Sequence, residues 1–505
     1  MSAKTYLAID MGASSGRHVV GHFNGKRLRL EELYRFANGP VGMNNSFFWN
    51  LPGLWTDVLA GLRLAGNKYS EALCSVGVDT WGVDFGLFSS KGELLGNPYC
   101  YRDARTDGAI ERAFEKVSRE EIFNQTGLQF MQFNSLFQLF VMKEMQSPIL
   151  DIADRFLMMP DIFHWLLSGL KSNEFTNATT SQCFDPRKKN WAFDLLDKFG
   201  LPTSLFRPTS PPGTILGKLQ KSVQEETGLV NARVVLPGTH DTASAVLAVP
   251  SASEVGETDW AYISLGTWAL MGLESANPVV NDTVARLNFT NEGGVGSTTR
   301  LLKNICGLWL IQECRRNWNA QGKKNAEGKP LDWEDLNKMT ASASPLTSFI
   351  NPDAREFLGP TNMPEAIRSF TEKTGQSVPV KEGEILRTIL DSLAMRFRHV
   401  LGMCEQISGN KIKTIHIVGG GIQNRLLCQA AADATGCRVV AGPIEATAIG
   451  NIMMQAIAAG DIAGIREARA VIRDSFPVVE YEPQNTAIWD AAWPRFLKIL
   501  GENNQ

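Results

Sequence analysis

Long apolar runs are the first thing missing. No uncharged stretch reaches the length of a membrane span. The opening Met-Ser-Ala-Lys-Thr-Tyr-Leu-Ala-Ile-Asp holds an apolar run too short for a signal peptide, broken by Asp10. Paired cysteines are missing too. The eight present, Cys74, Cys100, Cys183, Cys306, Cys314, Cys404, Cys428 and Cys437, are scattered without C-x-x-C spacing, which argues against a zinc site or a thioredoxin-like pair. A reduced, cytoplasmic setting is expected. Histidine is scarce, six residues in all, and the one close pair, His18 and His22, lies in a strand-like stretch that reads as a half-exposed sheet face, not a metal cluster. A net charge of only -3 offers no footprint for nucleic acid and no polybasic stretch for a membrane surface. The dinucleotide signature is also absent: Gly12-Ala13-Ser14-Ser15-Gly16 has the wrong spacing and exits into a strand, not a helix.

What is present is an ordinary globular composition, 44% hydrophobic and 20% charged, over 505 residues. That is about three times the usual single-domain length, so two large domains are expected. The small-residue run Pro250-Ser251-Ala252-Ser253-Glu254 is the candidate linker, giving domains 1–249 and 250–505. Just before it, Val234-Val235-Leu236-Pro237-Gly238-Thr239-His240-Asp241-Thr242-Ala243-Ser244 reads as a buried strand, a loop and a new helix. His240, Asp241 and Thr242 would stand at the strand's carboxyl end, where α/β sheets collect ligands. Asp241 can accept a proton there while its neighbours hydrogen-bond a hydroxylated ligand. The alternative is an ordinary helix cap.

Tyr6 to Phe23 predicts a glycine-rich hairpin. Such a turn can aim backbone N–H groups and the Ser14 and Ser15 hydroxyls at phosphate oxygens, with Asp10 placed to hold a hydrated cation, although any Gly-Ser turn looks similar. Two further strands are expected around Thr80-Trp81-Gly82-Val83-Asp84, where Trp81 either stacks on a sugar face beside the permissive Gly82 or is structural. Tyr101-Arg102-Asp103-Ala104-Arg105 reads as a charged loop, at its plainest a surface ion-pair cluster. Residues 109–170 are expected to be largely helical, most clearly at 149–159 and 160–170. Residues 173–180 read as a polar turn, and Arg187-Lys188-Lys189 as a solvated run.

The stretch 261–272 repeats the opening hairpin in outline, with Gly266 half a chain beyond Gly12, so the chain looks duplicated at domain scale. Lys303 to Gln312 predicts the opening of a helix, and 382–407 a long one. Lys413 to Val418 is a buried strand ending in Gly419-Gly420-Gly421, where a planar base and its ribose can lie on bare backbone. Glu445 to Ile452 is a helix whose small residues imply close helix packing.

In this order the motifs resemble the FGGY carbohydrate kinases over nearly the whole chain: Asp-Met-Gly-Ala-Ser-Ser-Gly-Arg at 10–17, Asp-Thr-Trp-Gly-Val-Asp-Phe at 79–85, Tyr-Arg-Asp at 101–103, Thr-Asn-Ala-Thr-Thr at 176–180, His-Asp-Thr-Ala-Ser-Ala-Val at 240–246, Gly-Thr-Trp at 266–268, Asn-Glu-Gly-Gly at 291–294, Lys-Asn-Ile at 303–305 and Val-Gly-Gly-Gly at 418–421. The resemblance implies an α/β protein of two actin-like, ribonuclease H-like domains around a central cleft. It implies that ATP and Mg²⁺ serve a small ketose, with no nucleic acid or membrane partner, in a monomer or homodimer. By position, Asp241 would be the general base. Trp81, Gly82, His240, Thr242 and Asn304 would face the sugar. Ala13, Ser14, Ser15, Gly16, Arg17 and Thr267 would serve the phosphates, with Gln312 nearby, Gly420 at the adenosine and Asp10 at magnesium through water. Asn177 departs from the aspartate of many members. The chemistry needs in-line positioning, charge neutralisation and one carboxylate to take a hydroxyl proton. An actin- or chaperone-like ATPase would share the hairpins and the glycines without needing the Asp241 loop.

Overall fold

The computed structural model describes residues 4–254 and 256–501. The chain forms two compact units, the first of Met1–Glu257, Glu274–Leu302 and Glu445–Pro477, the second of Thr258–Leu273, Lys303–Ile444 and Val478–Gln505. The chain thus first leaves unit 1 shortly beyond the small-residue run at 250–254, and two later segments return to it. No helix among the described residues is long and apolar enough to cross a membrane.

Unit 1 is built on a six-stranded sheet in the order Ile215–Lys218, Arg233–Val235, Leu73–Thr80, Lys4–Met11, Ser15–Phe23, Leu28–Ala37. Lys4–Met11 is its centre. All its residues after Lys4 are buried, which fits a nearly continuous apolar strand covered on both faces. It pairs antiparallel with Ser15–Phe23 and parallel with Leu73–Thr80. One cover is the helix Leu51–Tyr69, which buries Leu51, Leu54, Val58, Leu62 and Ala65 at helical spacing and is capped by Asn50. A second is Ala446–Ala458, far along the chain, whose Gln455 amide donates to the Leu7 carbonyl at 2.9 Å and whose Asn451 donates to Asp79 at 2.6 Å. A further aromatic core, including Phe137, Phe140, Phe156, Phe184 and Trp191, lies under the segments between residues 85 and 206.

Unit 2 repeats this plan. Its Trp260–Leu265 strand has an antiparallel return strand, Trp268–Ser275, on one side and the parallel Thr414–Val418 on the other. Arg438–Ala441 follows in parallel, then Val479–Tyr481 antiparallel. Unit 1 has the same sequence of neighbours from Ser15–Phe23 to Ile215–Lys218. The duplication suggested by two short hairpins is therefore real at the level of topology. The long helix runs Glu382–Ser408, as its periodicity predicts.

Several expectations need correcting. His18 is fully buried, because Leu51–Tyr69 covers that face and the Val58 carbonyl meets its Nε2 at 3.1 Å; only His22 is half-buried. The Tyr101–Arg105 loop is not a surface cluster. The neighbouring hairpin Pro40–Met43 and Ser46–Trp49 closes over it, Asp103 accepts the Phe47 amide at 2.6 Å, and Arg105 lies 3.7 Å over the Tyr99 ring. The 149–159 helix ends at Ile152, since Arg155–Met158 pairs as a strand with Phe85–Phe88 and tertiary pairing outweighs local propensity. Residues 173–180 form a buried turn of strand and short helix. Lys303 and Asn304 lie within the strand Thr299–Cys306, and the helix begins only at Trp309. Gly307 sits at the break, packed so close that a Cβ there would stand 2.6 Å from the Trp268 backbone. Arg187, Lys188 and Lys189 are exposed as expected.

Candidate active site

Three parallel strands of unit 1, Lys4–Met11, Leu73–Thr80 and Arg233–Val235, end on the same edge of the sheet. The register sets Asp10 beside Asp79 on one side and opposite Arg17 on the other. The loop after Arg233–Val235 is drawn in by a bridge between Thr80 and His240, with the Thr80 amide on the Thr239 carbonyl at 2.9 Å. The helix Asp241–Leu247 starts there. Strand ends of this kind present backbone and short side chains to a ligand.

Arg17 donates through Nε and NH2 to Asp10 Oδ2 at 3.0 and 2.9 Å and pairs through NH1 with Glu445. Burial works against its charge, but the two carboxylates hold its pKa above the usual range. The guanidinium that the resemblance assigns to phosphate is thus held on carboxylates. Burial pushes Asp79 well above the normal carboxylate range, and Asp10 pushes it further. Asp241 and Glu445 are likewise raised first by burial, with Asp10 adding to both. Neighbouring carboxyls therefore all feel Asp10. The hairpin turn itself is tied by the Gly12 amide to the Ser15 carbonyl and by Asn38 to Gly12 and Ser14, leaving Ser14 exposed at the tip.

Asp241 keeps 32% of its side chain exposed while its neighbours Thr242 and His240 are buried. Its Oδ1 accepts the Thr242 amide at 2.6 Å and hydroxyl at 3.1 Å, and lies 3.3 Å from His240 Nε2. No capping bond from His240, the cap residue, is made, and Asp241 is already inside the helix. A free carboxylate edge toward solvent fits proton acceptance better than capping.

The loop is fixed from beneath. Glu174 is fully buried and collects the amides and hydroxyls of Thr176 and Thr239 on one oxygen. Asn177 donates to the Trp81 and Thr239 carbonyls at 3.3 and 3.4 Å, so the amide at this position ties two loops together. Gly82 faces Thr180 so closely that a Cβ would lie 2.9 Å from its hydroxyl. The Trp81 indole is packed at 4.1 Å on Trp49 and donates to Asp84 at 3.0 Å, the structural of its two readings. His240 is gripped on its other side: the buried Arg300 donates NH2 to Nδ1 at 2.9 Å, with Glu292 3.2 Å from that guanidinium.

The remaining candidates lie in unit 2. Thr267 forms the turn between Trp260–Leu265 and Trp268–Ser275, and its carbonyl accepts the Trp309 amide at 3.1 Å, fixing the helix Trp309–Ala320 that carries Gln312. Gly419, at φ +92, turns the chain off Thr414–Val418 against Leu265, and Gly420 is exposed with open space where a Cβ would be. Asn304 sits on the strand before that helix. Sequence patterns gave no role to Asp79 or Glu292, although both stand in motifs quoted above, nor to Glu174, Arg300 and Glu445. A polar residue inside a buried segment was the available signal for Asp79 and Glu174; Glu292 and Arg300 pair across one hairpin, but their hold on His240, like that of Glu445 on Arg17, depends on partners far along the chain.

A ribonuclease H-like sheet repeated in two units, with carboxylates and a glycine hairpin at the strand ends of one and a glycine turn in the other, defines an actin-like phosphoryl-transfer protein. Family comparison narrows the class. Residues 5–248 match the N-terminal domain and residues 261–459 the C-terminal domain of the FGGY family of carbohydrate kinases. The chain belongs to that family. It is 42% identical to a rhamnulokinase of Bacteroides thetaiotaomicron over 98% of this chain and 99% of the relative. It is 40% identical to a rhamnulokinase of Halalkalibacterium halodurans, covering 94% and 98%. In fold it is similar to a gluconate kinase from Lactobacillus acidophilus, with a TM-score of 0.79 at 14% identity over 99% and 98% of the chains. A glycerol kinase of Plasmodium falciparum solved with ADP gives 0.75 at 12% identity over 98% of each.

Proposed function

We propose that this protein transfers the γ-phosphoryl group of ATP to the primary hydroxyl of L-rhamnulose, giving L-rhamnulose 1-phosphate and ADP. The observation that carries the reading is Asp241, a carboxylate partly open to solvent beside otherwise buried, fixed neighbours. The rhamnulokinases to which the chain is similar over nearly its full length support the choice of ketose. The sugar hydroxyl donates to Asp241, and its proton passes to that carboxylate as the oxygen–phosphorus bond forms and the bond to ADP breaks. Gly82, His240, Thr242 and Asn304 are assigned to the sugar, with Trp81 as packing behind it. Ala13 to Gly16 and Thr267 are assigned to the phosphates, and Gln312 and Gly420 to the nucleotide.

A divalent cation fits the carboxylates of unit 1. Asp10 raises Asp79, Asp241 and Glu445 together, a repulsion that a cation near Asp10 would relieve. Among the described residues no three His, Cys, Asp or Glu side chains form a direct cage, which suits a hydrated Mg²⁺ held through water by Asp10. When bound, Mg²⁺ neutralises phosphate charge and orients the transferred group. Arg17, steered by Asp10 and Glu445, holds that carboxylate in place.

Coupled measurement of ADP release over a ketose panel tests the reading. L-Rhamnulose should give the highest kcat/KM, with L-fuculose, its 6-deoxy isomer at one hydroxyl centre, lower by roughly a hundredfold. A higher value for L-fuculose would overturn the substrate, and ADP release indifferent to any sugar would overturn the kinase reading.

A further inference from the structure

His240 touches two groups that compete for one nitrogen. Arg300 NH2 lies 2.9 Å from Nδ1, and Glu292 Oε2 lies 3.3 Å from the same atom. A guanidinium has only donors and does not deprotonate, so the closer contact requires a bare lone pair on Nδ1. An Nδ1–H would point at the arginine's own hydrogen. Glu292 Oε1 accepts the Thr290 hydroxyl at 3.5 Å, whereas Oε2 is met only by charge, 3.2 Å from Arg300 NH1 and without a hydrogen bond, so the contest for Nδ1 is decided by the shorter Arg300 contact. Arg300 is itself immobilised: it has no exposed surface, and its Nε donates to the Gly293 carbonyl at 2.9 Å. The imidazole backbone is tied as well, its amide donating to Thr176 Oγ1 at 3.1 Å.

We propose that Arg300, neutralised by Glu292, is a positioning residue that locks His240 in the Nε2–H tautomer, so that the imidazole enters the site only as a hydrogen-bond donor. Nε2 is the nitrogen that faces Asp241, 3.3 Å from Oδ1. Its proton therefore points at the region where the carboxylate meets the sugar, and a ketose oxygen bound there must accept from His240 while a neighbouring hydroxyl donates to Asp241. The two side chains thereby read opposite polarities on adjacent oxygens of one substrate. A hydroxyl turned the wrong way leaves one of them unpaired, which is a source of discrimination between isomeric ketoses. This inference rests on the kinase reading for its purpose, but the tautomer is a property of the protein alone.

The test has two arms. In the full-length protein labelled with ¹⁵N-histidine, long-range proton–nitrogen spectra report the protonation of each ring nitrogen, and the His240 signals are those lost in His240→Gln. The expected result without substrate is a bare Nδ1 and a protonated Nε2, giving way to a tautomer mixture in Arg300→Met. The second arm compares isosteres: the amide of glutamine reaches the Nε2 position, whereas that of asparagine reaches only Nδ1. His240→Gln should retain at least about tenfold more kcat/KM for the ketose than His240→Asn, the scale of one hydrogen bond. A protonated Nδ1 in the native protein, or equal losses in the two variants, would overturn the proposal. Ketose-dependent ADP release by the native enzyme is scored separately, so a failed tautomer and a failed kinase reading give different results.

Discussion

Asp84 receives the Trp49 and Trp81 indole N–H groups at 2.6 and 3.0 Å, the Tyr101 amide at 3.1 Å and the Gln138 amide at 2.9 Å, and it has no exposed surface. Burial outweighs these four donors and lifts its pKa from 3.8 to about 6. The sign of the linkage follows. Between about pH 4 and 6 the folded protein holds a proton that the unfolded chain has released, so this group favours folding below that window and the advantage is lost as pH rises through 6. The shift corresponds to about 3 kcal/mol. The unfolding free energy of the native protein, relative to Asp84→Asn, should therefore fall by about that amount from pH 4 to 7 in paired denaturant titrations. A flat difference would show that the donors offset burial. At this scale the sequence was readable where a residue works with chain neighbours, as in Asp10 with its hairpin and His240-Asp241-Thr242. It was not readable for Glu445 on Arg17 or Arg300 on His240, since nothing local marks a contact whose halves stand far apart in the chain.

Gly450 shows what an element contributes. It lies where the helix Ala446–Ala458 meets Asp241–Leu247, and a Cβ would stand 1.8 Å from the Ser244 carbonyl. Since that carbonyl is backbone, the helix carrying Asp241 would have to move. Gly450→Ala should destabilise by about 1–3 kcal/mol and lower turnover as well. Gly402→Ala, exposed in the helix Glu382–Ser408 with nothing near its Cβ, should hold or raise the melting temperature with activity intact. Calorimetry and an activity assay on both variants check this, and a harmless Gly450→Ala would refute the close-packing account. The small-residue pattern of 446–452 announced this contact correctly. The same kind of periodicity misplaced 149–159 and 303–312, because strand pairing with distant segments set the local structure of residues whose apolar spacing suits either state.

For the molecule as a whole, duplication was visible only as two short hairpins, yet beside each hairpin stand two parallel strands and an antiparallel one in the same order. The return of 274–302 and 445–477 to unit 1 was invisible, since a chain crossing leaves no compositional mark when both sides are well-packed core. Those returning segments bring Arg300, Glu292, Glu445 and Asn451 to the site. The central claim is that Asp241 is the base, while other residues, Ala13 to Gly16, Thr267, Gln312 and Gly420, bind the nucleotide. Turnover and nucleotide affinity measured on one purified Asp241→Asn variant test it most directly. Asparagine keeps the size and most of the hydrogen bonding but cannot take the hydroxyl proton. The account predicts a hundred- to ten-thousand-fold fall in kcat, to roughly the extent lost with a general base, with ATP affinity and melting temperature near those of the native protein. Unchanged turnover in a stable Asp241→Asn protein would contradict it.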